Sequence, residues 1–229
     1  MVSAGLAIRT LPLGAHVAQR LRAMILRRDL QDGMRLLEED HATQFDVSRG
    51  PIRDALKQLE REGLVTMRKK AACVAALSSK DIRDLYELRK ALELLALNEG
   101  VRRATEGQFA QMHTCVDHMR EAAQADDHAA FASADVAFHG ILVGLSTNRR
   151  LSDVWHQYVP ILATILESAV GQEDYLHNSA EDHHTLLEMI RSSDHRVVGE
   201  VSDHIDRARD RMIKRYERQS TTKTVFKES

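Results

Sequence analysis

Apolar residues recur at helical spacing early in the chain, where Val17, Leu21, Met24 and Ile25 share one face. Gly33, after Asp32, is expected to mark the turn that ends this first helix. A second, short helix fits Glu38 to Phe45. Asp46, Val47 and Ser48 leave room only for a tight turn. Ser48 is placed to cap a helix beginning at Arg49, with Pro51 tolerated in its first turn. Ile52, Leu56 and Leu59 then form a stripe to be buried, and Gly63 supplies a stop. Leu64 to Met67 and Cys73 to Ala75 read as short strands around Arg68, Lys69 and Lys70. This order predicts a helix-turn-helix with a small β-hairpin wing.

From Ser79 onward the period stays helical. The spacing predicts helices over Asp81 to Asn98, Gly107 to Ala125, Ala129 to Leu145, Leu151 to Val170, Ser179 to Arg191 and Arg196 to Tyr216. Ser78, Ser79 and Lys80 form the expected joint, and Asp126-Asp127 and Thr147-Asn148 mark turns. The expected organisation is a winged helix-turn-helix over 1–77 and an all-helical antiparallel bundle over 78–218. Residues 219–229 lack periodicity and read as a flexible tail. The fold class is mainly α.

Composition sharpens this division. Aromatic residues make up only 4% of the chain, which disfavours a large β-sandwich or barrel. Residues 1–80 hold fourteen lysines and arginines against nine acids, a net charge of +5, and the remainder holds eighteen against twenty-five, a net charge of −7. A basic segment joined to an acidic one is expected where one domain meets an anion and the other does something else. Ten of the twelve histidines lie in the acidic part. Cys73 and Cys115 are isolated, and no signal peptide or long apolar run is evident. The expectation is a reduced, cytoplasmic protein without a membrane partner.

The basic part carries the first candidate chemistry. A recognition helix enters the major groove of double-stranded DNA by its N-terminal end, and Arg49 and Arg53, four residues apart, would project together towards base edges. Ser48 and Gly50 would let the backbone approach a phosphate. A guanidinium can bond guanine O6 and N7 together, whereas Lys57 and Lys69 suit phosphate contacts. The blander alternative is that these arginines only solvate an exposed helix face.

The acidic part carries the second. Phe131, Asp135, Phe138, His139, Leu142 and Leu145 fall on one helical stripe, placing a carboxylate and an imidazole among apolar neighbours. His183 shares its face with Leu186, Leu187 and Ile190, while His184 aligns with Glu188 and Arg191 and is expected to look outward. Val197, Val201, His204, Ala208 and Met212 make a further stripe. Three helices would thus aim Asp135, His139, His183 and His204 into one interior able to hold a divalent ion, zinc ahead of nickel or manganese. Local hydrogen bonds and backbone-satisfied core histidines are the alternative.

The stretch "LLEEDHATQFDVSRGPIRDALKQLEREGLV" closely resembles the winged-helix domain of the GntR family of bacterial transcription regulators, over about His16 to Ala75. The resemblance implies that Arg49 and Arg53 read an operator and that a wing residue near Lys69 reaches the minor groove. Three positions depart from the pattern. Glu39 stands where many members place a DNA-contacting arginine, His41 where they bury a leucine, and Lys70-Ala71 where a wing glycine is usual. "RKALELLA", "DVAFHGILVGLSTN", "HHTLLEMI" and "HIDRARDRM" resemble the all-helical FCD domain of the FadR branch. That resemblance implies a metal on an Asp-x3-His pair plus two later histidines, with an effector acid completing its coordination. His183 and His204 stand 21 residues apart, one fewer than the family spacing, a difference that a shortened turn near Asp194 would absorb.

Open metal positions suggest a small organic acid held by the ion and a cationic side chain, with Arg89 as that cation and Asn148 lining the pocket. An Arg89–Glu93 salt bridge and helix capping by Asn148 are the alternatives. The expected protein is a homodimeric, ligand-responsive repressor and not an enzyme. A metalloenzyme built on the bundle is the rival reading. It lacks the paired Glu-x-x-His motifs of a di-iron site and a second carboxylate at matching spacing to serve as general base. A helical adaptor would leave the inward polar quartet unexplained.

Overall fold

The computed structural model describes residues 12–69, 71–167 and 173–225, with side chains left out at 173–175 and 219–225. The chain divides into two compact units between Ala76 and Leu77.

In the first unit, α1 (Leu13–Leu26) buries Val17, Ala18, Leu21 and Ile25. It ends seven residues before the Gly33 expected to stop it, because Arg28 already takes a left-handed conformation (φ 61°). Gly33 (φ 76°) instead turns the chain into β1 (Arg35–Leu36), a strand too short to show a period in the sequence. Next come α2 (Glu38–Phe45), a left-handed Asp46 (φ 52°) and α3 (Arg49–Arg61), which buries Ile52, Ala55, Leu56 and Leu59. Ser48 occupies the N-cap position of α3, but its side chain makes no capping hydrogen bond, contrary to expectation. Gly63 (φ 76°) stops α3 as expected.

Strands β2 (Val65–Arg68) and β3 (Ala71–Val74) form the wing, and β1 adds to β3 to give an antiparallel sheet of order β1-β3-β2. Val65 faces Val74, and Arg68 faces Ala71. Lys69 takes the positive φ (48°) that a glycine would adopt without strain. Inside the unit, a buried ion pair ties Arg22 of α1 to Glu62 beyond α3, at 2.6 and 2.7 Å. His41 is buried, with Nδ1 3.0 Å from Gln44 Oε1, so the polar replacement of a core leucine finds a local partner.

The second unit is a helical bundle of α4 (Ser79–Gly100), α5 (Glu106–Gln124), α6 (His128–Val143), α7 (Arg149–Glu167), α8 (Glu173–Arg191) and α9 (Val197–Val225). A single 3-10 turn (Val101–Arg103) follows α4. Ser78 with Asp81 and Thr105 with Gln108 close capping boxes that start α4 and α5, and Asp127 caps α6. α8 begins six residues earlier than Ser179, since Leu176 and Ala180 extend the buried stripe of His183, Leu187 and Ile190 back through a polar stretch. α9 runs through the first seven residues of the expected tail, to Val225. Residues 226–229 of that tail lie outside the described residues.

α6 packs against α4, α5 and α7, and α4 and α8 also meet α9. Gly100 sets how closely α4 approaches the end of α6: a Cβ there would fall 2.2 Å from the Leu145 carbonyl oxygen. No helix among the described residues is long and apolar enough to cross a membrane.

Candidate metal centre and nucleic-acid interface

The buried cluster follows from helical periodicity. On α6, Asp135 and His139 are one turn apart and face inward; α8 contributes His183 and α9 His204. All four are at most 4% exposed. One ligand atom from each of the three histidines lies within 4.8 Å of the others. His139 Nε2 is 3.1 Å from His183 Nε2, which is itself 3.1 Å from Asp135 Oδ1. Phe138 packs edge-on against His183, and the His139 and His204 rings stack at 5.5 Å. The 21-residue interval from His183 to His204 is accommodated after α8, where Ser193 (φ 53°) turns the chain and Asp194 accepts from the Arg196 N–H.

Hydrogen bonds to the outer nitrogens orient two of these rings. His139 Nδ1 lies 2.7 Å from Glu93 Oε2, and His183 Nδ1 lies 2.6 Å from the Ser179 carbonyl. A carboxylate and a carbonyl only accept, so both Nδ1 atoms donate, and Nε2 of each ring faces inward, a lone pair whenever the ring is neutral. Asp135 Oδ1 adds a further lone pair beside them. A single proton bridges one pair of these acceptors. A divalent cation would take a lone pair from each, held by the three histidines and Asp135. Histidines oriented by a carboxylate or carbonyl on their outer nitrogen are the usual arrangement around a bound metal.

Charge points the same way. Burial disfavours ionisation of Asp135 and Glu93, but it is outweighed. The hydrogen bond with His183 and the charge of Arg89 hold Asp135 well below the usual carboxylate range, while His139 and Arg89 lower Glu93. Burial pushes His139 and His204 down, so both rings favour the neutral form. With all three rings neutral, two carboxylates and one guanidinium leave a net −1 in a desolvated interior, a charge that a bridging proton or a bound cation offsets. Asp135 Oδ2 and His204 Nδ1 are buried without a hydrogen-bond partner among the described residues. The donor set fits a borderline divalent ion.

Arg89 is 3% exposed and donates from Nε to Glu93 at 2.8 Å, so the salt bridge one turn along the helix is present. Its Nη2 lies 3.6 Å from Asp135 Oδ2 without hydrogen-bonding it, leaving a buried donor beside the cluster. Glu93 is the residue that sequence reasoning missed in this site. It is a second buried carboxylate, and Arg89 and His139 occupy its two oxygens. Its signal was its place one turn after Arg89. Asn148 is spent elsewhere: its Oδ1 accepts from the backbone N–H groups of Arg150 and Leu151 at the start of α7, the capping role rather than the pocket role. His184 stays outside the cluster, half-buried.

In the first unit, Ser48, Arg49, Gly50, Arg53, Lys57 and Lys69 are all exposed. Arg49, Arg53 and Lys57 line one face of α3 at intervals of four, opposite its buried stripe. The two arginines are not bare. Arg49 meets Glu39 at 2.7 Å, and Arg53 bonds both oxygens of Glu38 at 3.1 and 2.8 Å.

Known proteins match both units. The model for "Bacterial regulatory proteins, gntR family" covers residues 13–74, and the FCD domain model covers 84–208. The gluconate operon transcriptional repressor of Bacillus subtilis is 27% identical over 67% of this chain, which spans 63% of that protein's length. The probable D-xylose utilization operon transcriptional repressor of Paenarthrobacter nicotinovorans is 28% identical over 82% of this chain and 84% of its own. The solved structure of E. coli McbR/YncC superposes with a TM-score of 0.73 over 90% of this chain and 100% of that one, at 18% identity, and shows the shared fold. The two sequence relatives are named as transcriptional repressors, not enzymes. With both of its units matched in sequence order, the chain belongs to the GntR family, its winged helix-turn-helix followed by an FCD domain.

Proposed function

We propose that the protein is a ligand-responsive transcription regulator, acting as a repressor, that binds a two-fold operator as a homodimer and senses a small organic acid at a metal site in its helical unit. The carrying observation is the convergence of Asp135 and three imidazoles in one interior sealed from solvent. Asp135, His139, His183 and His204 would hold the ion, zinc ahead of nickel or manganese. When bound, the ion would supply a Lewis-acidic face for an oxygen ligand.

The chain's own residues decide what that ligand is. Arg89 keeps a buried Nη2 donor beside the cluster, suited to one carboxylate oxygen. With the three rings neutral, a divalent ion would change the local charge from −1 to +1, and one monoanion would then neutralise it. A second carboxylate would have to be buried unpaired. A small monocarboxylate is therefore the favoured effector class, in keeping with a relative named for a gluconate operon.

In the other unit, Arg49 and Arg53 would read base edges while Ser48, Gly50, Lys57 and Lys69 follow the phosphates. One recognition helix covers too few base pairs for specificity in a genome, so two related copies are required. An effector biases DNA binding only by binding the two states of the protein with different affinity.

The test combines elemental analysis of gently purified protein with operator titrations. The operator comes from selection out of a random duplex pool, and a panel of monocarboxylates and dicarboxylates is added with and without metal. Metal-dependent release of the operator by a monocarboxylate is expected. Failure to retain any divalent ion under loading sinks the metal site, and full-affinity binding of a monomer to an asymmetric site sinks the dimer.

A further inference from the structure

Each arginine at the N-terminal end of α3 is met by a carboxylate from the first turn of α2, but the two contacts differ in kind. Arg53 gives Nε–H to one oxygen of Glu38 and Nη2–H to the other, a fork closed on a fork. Arg49 meets Glu39 through one 2.7 Å contact in which the Glu39 side chain is 75% exposed, against 34% for Glu38. A guanidinium holds five donors in a rigid plane. Clamped along its Nε edge, Arg53 retains the Nη1–Nη2 end, whose two parallel donors match guanine O6 and N7.

We propose that Glu38 is a positioning residue for base reading: it grips the Arg53 guanidinium side-on and presents its free end to a guanine, while Glu39 leaves Arg49 free to change partner. This rests on the reading of Arg53 as a base-contacting residue. The hydrogen bond from Arg53 also lowers the Glu38 carboxyl from its ordinary range, so the clamp stays charged at neutral pH. A guanidinium fixed before contact loses less conformational freedom on binding.

The proposal has a sign that plain electrostatics does not share. A carboxylate near DNA repels phosphates, so neutralising it tightens binding to every duplex alike if charge is its only effect. A clamp predicts the opposite on the specific site.

The experiment uses the full chain and its selected operator, the operator with each guanine replaced in turn, and an unrelated duplex of equal length. Wild type, Glu38→Gln, Glu38→Asp and Arg53→Ala are titrated, with melting temperatures confirming that each is folded. Glu38→Gln is expected to weaken operator binding about tenfold, to leave the unrelated duplex unchanged or bound more tightly, and to reduce discrimination at one guanine. Glu38→Asp keeps the charge but retracts the fork, and is expected to lose the same discrimination. Equal tightening on operator and unrelated duplex by Glu38→Gln overturns the clamp, as does wild-type discrimination in Glu38→Asp. If Arg53→Ala loses discrimination while Glu38→Gln keeps it, the clamp alone fails. If Arg53→Ala discriminates like wild type, Arg53 is not a reader and the underlying assignment falls with it.

Discussion

The two units handle charge in opposite ways. Arg49 and Arg53 sit in water with carboxylates as temporary partners, and exposed ion pairs of this kind contribute little because solvent screens them. Exchanging such a partner for a phosphate or a base edge is therefore cheap. The cluster around Asp135 is sealed from solvent, and there each unpaired charge carries a desolvation cost of several kcal/mol. A buried charged cluster penalises the loss of any one partner, whereas an exposed basic face changes partners at little cost. One chain thus holds an exchangeable surface suited to searching DNA and a committed interior suited to sensing.

The contrast breaks first at Arg89. Its replacement by Ala strands Glu93 and Asp135 without their guanidinium and is expected to cost about 3–5 kcal/mol in the metal-free protein. Thermal unfolding reads this directly, and a near wild-type melting temperature would place the cluster in contact with water. Chelation is the next largest effect. Removing an ion present at a hundredfold excess over its Kd forfeits about 2.7 kcal/mol, or roughly 5–10 °C in melting temperature. His183→Ala should abolish that chelator-sensitive shift and His184→Ala should keep it, because only His183 faces the cluster.

The same histidines set a pH window. Burial lowers His139 and His204 below the ordinary value of about 6.5. Their neutral, ligating form is therefore complete above that value and is lost as pH falls through the depressed one. Metal occupancy measured by equilibrium dialysis should stay flat from about pH 8 to 6.5 and decline only below it. A decline beginning above pH 7.5 would point to other ligands. On the exposed side, Arg53→Ala is expected to weaken operator binding by about ten- to a hundredfold without altering the melting temperature, read by gel-shift and thermal scans together. The smallest effect is expected from Glu39→Gln, which should leave thermal stability unchanged, since its single contact with Arg49 is open to solvent.

Much of this was legible along the chain. Helical period alone turned Asp135, His139, His183 and His204 inward and kept His184 out, because each shares its face with residues that must be buried. The same period exposed Arg49, Arg53 and Lys57 together. Polar local signals were ambiguous. Ser48 holds the cap position without its hydrogen bond, Asn148 caps α7 instead of lining a pocket, and α9 continues through a stretch without apolar rhythm. In each case the residue type permits several partners, and neighbours distant in sequence choose among them.

What the sequence determined by itself was therefore the repeating quantity: which residues share a face, which stretches are helical, and how basic and acidic residues divide between the units. Only the tertiary structure decided the pairings across elements. Glu93 meets His139 46 positions away, and Glu38 closes on Arg53 from another helix. Periodicity is set by local backbone geometry and repeats every few residues, whereas a carboxylate's partner depends on how two helices pack, which no single helix encodes.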